Sequence, residues 1–73
     1  MKQEDLVIAI NKDGKGEDPI VKKLLDKVWL YFTERVDDTY DGILMMLIGR
    51  LKHETGSETA KVLDALTKKL EST

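Results

Sequence analysis

The chain has 73 residues, no cysteine, 12 basic and 14 acidic residues, and a net charge of -2. This length fits one small domain, and the lack of thiols excludes disulfide staples and a cysteine nucleophile. The charge balance supplies no bulk attraction to nucleic acid or anionic lipid. With 41% hydrophobic and 36% charged residues the composition is that of a folded chain.

Near the N-terminus, Leu6-Val7-Ile8-Ala9-Ile10 is a continuous apolar run followed by the turn-rich Asn11-Lys12-Asp13-Gly14-Lys15-Gly16. Three of the five apolar residues are β-branched, which favours extended chain. Asp13-Gly14 suits a hairpin turn, but Lys15–Pro19 has no strand character to return along. The expectation is therefore an extended or short-strand arm and flexible linker over residues 1–17, with a helical domain over 18–73. The acids in Met1-Lys2-Gln3-Glu4-Asp5 do not fit a secretory signal, so a cytoplasmic setting is expected.

Asp18-Pro19 is a strong helix start: the carboxylate can accept from the first free N–H groups, and proline suits the first helical position. A first helix is expected over about 19–36. Its apolar stripe would hold Val21, Leu24, Leu25, Val28, Phe32 and Val36, with Trp29 and Tyr31 on the margins and Leu30 pointing away. Asp37, Asp38 and Asp41 precede the next apolar run and suit the positive end of a helix, with Asp38 or Thr39 as its cap. Because the helical period continues through this stretch, a single helix from Pro19 to about Lys52 is a rival to two.

The second helix, about 39–54, carries Ile43-Leu44-Met45-Met46-Leu47-Ile48. Six apolar residues in succession cover every direction around a helix, so this segment is expected to be the hub that the others bury. It is far shorter than the roughly 18 apolar residues of a membrane span. Met45 and Met46 read as adaptable core fillers, a residue type also found on permissive binding surfaces. Gly49 is expected to mark a close approach by another helix. Gly56 suits a left-handed cap, with Ser57, or the Thr55/Glu58 pair, capping a third helix over about 58–70. That helix would bury Val62, Leu63, Leu66 and Leu70. The expected fold class is all-α, a compact three-helix domain with the N-terminal arm attached.

No reaction chemistry assembles from these residues, and no catalytic, metal or cofactor-binding residue is assigned. His53, the sole histidine, falls near a helix C-terminus, where a cation is favoured electrostatically. The loop from Asn11 to Asp18 places lysines where a calcium loop needs acids, and Gly14-Lys15-Gly16 lacks the spacing of a phosphate loop. A helix-turn-helix outline around Gly56 would display Glu58, Thr59, Lys61, Asp64, Lys68 and Lys69, a face of mixed sign without arginine, which argues against nucleic acid.

Protein binding is what remains. Leu6, Val7, Ile8 and Ile10 could add as a strand to a partner sheet, and Trp29, Leu30 and Tyr31 are candidates for an exposed interface. The expectation is a small non-enzymatic regulator that occupies a surface of a larger protein. By class analogy alone, phage-encoded modulators of host machines such as RNA polymerase are of this kind. The alternative is a self-associating helical module, a homodimer, with DNA binding of the helix-turn-helix type as its variant.

Overall fold

The computed structural model describes residues 2–34 and 38–71, apart from the side chains of Asp38 and Thr39. It contains four helices: α1 (Gln3–Lys12), α2 (Pro19–Thr33), α3 (Asp38–Glu54) and α4 (Ser57–Glu71). Among the described residues there is no strand. The domain thus has four helices where three were expected, because the segment expected to be an extended arm is helical.

The reason lies in spacing. Leu6, Ala9 and Ile10 stand at i, i+3 and i+4, one face of a helix, and all three are buried. The intrinsic penalty of β-branched residues in a helix is only tenths of a kcal/mol, whereas burying a Leu or Ile side chain yields about 1.5–3 kcal/mol each. Burial wins. Both ends of α1 are also specified locally. Glu4 and Asp5 lie in the first turn, and the Asp5 carboxylate accepts from the Lys2 backbone N–H at 3.1 Å. At the other end Gly14 adopts a φ of 75°. Its N–H donates to the Asn11 carbonyl, and the Lys15 N–H donates to the Ile10 carbonyl, both at 3.0 Å. This pair of bonds closes a helix that ends on a left-handed glycine. Asp13-Gly14 is therefore a helix stop.

α2 starts as its sequence requires. The Asp18 carboxylate accepts from the N–H groups of Ile20 at 2.9 Å and Val21 at 3.4 Å, with Pro19 in the first turn. The helix ends at Thr33, whose hydroxyl donates back to the Trp29 and Leu30 carbonyls. The expected extension to Val36 falls at residues 35–37, and the expected caps are the side chains of Asp38 and Thr39; both lie outside the described residues. Pro19 to Lys52 is thus divided between two helices.

The chain winds round a small bundle in which α2 packs on α3, α3 on α4, and α4 on α1. The core is made by Leu6 and Ile10 of α1, Val21, Leu25 and Val28 of α2, Leu44, Ile48 and Leu51 of α3, and Leu63 and Leu66 of α4. α3 was expected to be sheltered all round. It is sheltered on its Leu44, Ile48 and Leu51 side, with Leu47 half-buried, while Ile43, Met45 and Met46 are exposed. Among the described residues only α2 and α4 flank it closely, because α1 lies against α4, and neither covers its outer side.

Candidate partner-binding surfaces

The seven side chains singled out for partner binding separate into three groups. Leu6 (0% exposed) and Ile10 are core residues. Trp29 and Tyr31 are half-buried and packed against that core, Trp29 beside Phe32 at 5.4 Å between ring centroids and Tyr31 edge-on to Tyr40 at 5.5 Å. Val7, Ile8 (54% exposed) and Leu30 (46%) are presented to solvent. The helical conformation of α1 divides its apolar run, turning Leu6 and Ile10 inward and Val7 and Ile8 outward.

Beside Ile8 runs a groove of about 390 Å³ between α1 and α4. Ile8, Ala9, Val62 and Ala65 give it an aliphatic floor, and Asp5, Lys12, Glu58 and Lys61 give it a rim of both signs. This groove was not anticipated, since it exists only once α1 is a helix. A second apolar surface is the outer side of α3, where Ile43, Met45 and Met46 (67% exposed) stand free; Gly42 and Gly49 are exposed there too. None of the described residues lies within 4 Å of where a Cβ on Gly49 would be. The close helix approach expected at Gly49 is therefore not made by any described helix.

One polar site ties distant parts of the chain together. The Asp13 carboxylate accepts from the backbone N–H groups of Gly56 at 2.9 Å, Glu58 at 3.2 Å and Thr59 at 2.9 Å. These donors open α4, and helix-starting N–H groups have no partner within their own helix. Asp13 is therefore the cap of a helix that begins more than forty residues later. The expected local caps do other work or none: the Thr55 hydroxyl donates back to the Leu51 carbonyl at 2.7 Å, and Ser57 is exposed. Gly56 is not left-handed. It is required small, because a Cβ there would stand 2.7 Å from the Asp13 Oδ1 and 2.8 Å from its Cγ. The Thr59 hydroxyl is buried and forms no hydrogen bond of regular geometry, yet it lies close enough to the Asp13 carboxylate to stabilise its charge. That hydroxyl first, and then the three N–H donors, hold the Asp13 carboxyl below the usual carboxylate range, against the opposing effect of burial. Locally, the sequence signal was a missing one: Gly56 stands at the cap position of α4 with no side chain to serve it.

α3 and α4, joined through Thr55 and Gly56, keep the helix-turn-helix outline. Lys61 lies 3.9 Å from Glu58, and Lys52 donates to Asp64 at 2.7 Å, so cations and acids alternate along this side. His53 is exposed near the C-terminal end of α3. Among the described residues no group of His, Asp and Glu is placed to hold a metal ion. Comparison with protein-family models, with curated proteins and with solved structures finds no match to this chain.

Proposed function

We propose that the protein is a small non-enzymatic regulator that acts by docking on a larger protein, through the edge of α1 and the groove between α1 and α4. The observation that carries this reading is the position of Ile8. It lines the groove and is exposed on a helix whose other side, Leu6 and Ile10, is anchored in the core. A rigidly held aliphatic side chain at the edge of a groove costs little ordering entropy on binding. The mixed-sign rim of Asp5, Lys12, Glu58 and Lys61 would select a partner segment with an apolar stripe flanked by charges of both signs. A modulator of a host machine, of the phage-encoded type, is one such regulator by class analogy. Nucleic acid is not the partner in this reading, since a phosphate-binding surface needs uncompensated cations. A cytoplasmic setting goes with it; no helix among the described residues is long and apolar enough to cross a membrane.

Affinity capture from the native cell, with the tagged chain and its Ile8→Glu variant side by side, tests this. Ile8 is exposed, so the variant keeps its helical circular dichroism. A protein retained by the unaltered chain and lost with Ile8→Glu supports the reading. Recovery of the same proteins by both chains overturns it, as does recovery of none above the background of untagged extract.

A further inference from the structure

The residue that caps α4 is followed by a glycine, Asp13-Gly14. An aspartyl peptide bond rearranges most readily before glycine, which has no side chain to shield its nitrogen or restrict its backbone. The rearrangement needs no oxidant and no co-reactant but water. The Gly14 nitrogen attacks the Asp13 Cγ, an N–C bond forms, and the amide proton and a carboxyl hydroxyl leave together as water. Water then reopens the five-membered imide. Opening at Cγ restores aspartate, whereas opening at the main-chain carbonyl of Asp13 leaves the chain running through Cβ, an isoaspartyl linkage of unchanged mass. We propose that Asp13-Gly14 is a site of this self-modification, held shut in the folded chain by the contact of Asp13 with the start of α4.

Both reacting groups are restrained. The carboxylate is held against α4 by the N–H groups of Gly56, Glu58 and Thr59. The form that reacts is the neutral acid, and the same donors, with the Thr59 hydroxyl, favour the charged one. The nucleophile is held by the backbone. Asp13 has a ψ of -4°, which sets the Gly14 nitrogen beside the nitrogen of Asp13 itself. Ring closure needs it beside Cβ, a large rotation about the Cα–C bond. Three bonds of 3.0 Å oppose that rotation: Asp13 N–H to the Ala9 carbonyl, Gly14 N–H to Asn11, and Lys15 N–H to Ile10. Ala9 and Ile10 are buried, so the turn rotates only when the end of α1 lifts from the core.

The product cannot resume the native role. An isoaspartyl linkage lengthens the main chain by one carbon and shortens the stem of the carboxylate by one. A group so displaced cannot meet three donors fixed by α4, because hydrogen bonds weaken steeply with distance and angle. Each excursion to a locally opened state therefore removes molecules from the population able to pair α1 with α4, and with that pair goes the groove between them. Asp41-Gly42, the other such dipeptide, lies inside α3. The inference stands apart from any docking partner.

The test is prolonged incubation of the full chain at neutral pH, folded in buffer and unfolded in guanidinium chloride. Cleavage after glutamate then releases residues 5–17, separate from Asp41-Gly42, and electron-transfer fragmentation of that peptide locates the isoaspartyl linkage. Isoaspartate at position 13 is expected in the unfolded chain and at least about tenfold more slowly in the folded one, where reaction is confined to opened molecules. Gly56→Ala, whose methyl group would stand 2.7 Å from the Asp13 Oδ1, should remove most of that protection. Ile48→Val loosens the core without touching Asp13, and compared with Gly56→Ala at matched stability it should keep the protection. Where Gly56→Ala lacks the helical circular dichroism of the unaltered chain, Thr59→Val, which removes only the hydroxyl beside the carboxylate, takes its place. No isoaspartate at position 13 in the unfolded chain overturns the proposal. So do equal rates folded and unfolded, or a cap variant that reacts no faster than Ile48→Val.

Discussion

The two helix pairs of this small bundle are held by different means. α1 and α4 are fixed by a carboxylate, Asp13, whose bonds to Gly56, Glu58 and Thr59 have direction as well as strength. α2 and α3 are paired by apolar and aromatic side chains: Val28, Leu44 and Ile48 at the centre, Tyr31 against Tyr40 toward one end. Directional bonds select one arrangement, since a carboxylate moved by an ångström loses its donors. Apolar packing tolerates more alternatives at similar volume. The polar tie belongs to the pair with the shorter helix and the smaller shared interior, and both pairs leave aliphatic side chains exposed, Ile8 on the first and Ile43, Met45 and Met46 on the second. In a domain whose core is worth only about 3–5 kcal/mol net, the first device selects one arrangement of its helices and the second tolerates more.

The comparison breaks most severely if α1 is not integral to the core. Leu6→Ala removes a fully buried side chain and should cost about 2–5 kcal/mol, comparable with the whole stability of the domain. Urea unfolding is expected to find the variant largely unfolded in buffer, or nearly so. Ile8→Ala, on the exposed side of the same helix, should change stability by no more than about 0.5 kcal/mol. Should Leu6→Ala prove as mild as Ile8→Ala, the pairing of α1 with α4 would have to be abandoned.

A smaller effect isolates the tie itself. Asp13→Ala removes a cap and should cost about 1 kcal/mol, a fall in melting temperature of about 4–8 °C for a domain of this size. The pH dependence has a definite sign. Folding lowers the Asp13 pKa, so its stabilisation is complete above the unfolded value, about 3.9. It is lost as pH falls through the lower, folded value. The gap in stability between the unaltered chain and Asp13→Ala should therefore be constant from about pH 5 to 8 and close in more acid solution. A gap that widens toward low pH would remove the carboxylate from this role.

The α2 and α4 cores were legible because their signals are local and periodic. Asp18-Pro19 announces its own helix, and Val21, Leu25, Val28, Leu63 and Leu66 fall on the faces that the 3.6-residue period assigns. α1 is ambiguous in sequence because a five-residue apolar run fits both periods, and Asp13-Gly14 suits a hairpin turn as well as the left-handed helix end that it forms. The Asp13 cap was illegible for a different reason. It joins residues 43 to 46 positions apart, and no pattern within a window of the sequence reports such a pair. Half of the α1–α4 groove is hidden with it: Ile8 is legible as a candidate binding residue, but Val62 and Ala65 stand opposite it only because α1 is a helix.

The finest comparison is between two glycines of the two pairs, whose replacement by alanine should act in opposite directions. At Gly56 the added methyl group would stand 2.7 Å from the Asp13 Oδ1, so the carboxylate must withdraw and the cap is lost, at a cost near that of Asp13→Ala. In a chain already carrying Asp13→Ala the same change should be close to neutral, the non-additivity expected of two residues that share one interaction. At Gly49 the added group meets none of the described residues within 4 Å and the position is inside a helix, so Gly49→Ala should stabilise the chain by about 1 kcal/mol. A thermal melt reads both. If Gly49→Ala destabilises, then something in the chain already approaches α3 on its outer side, and the contrast between a glycine that must be small and one that need not be is gone.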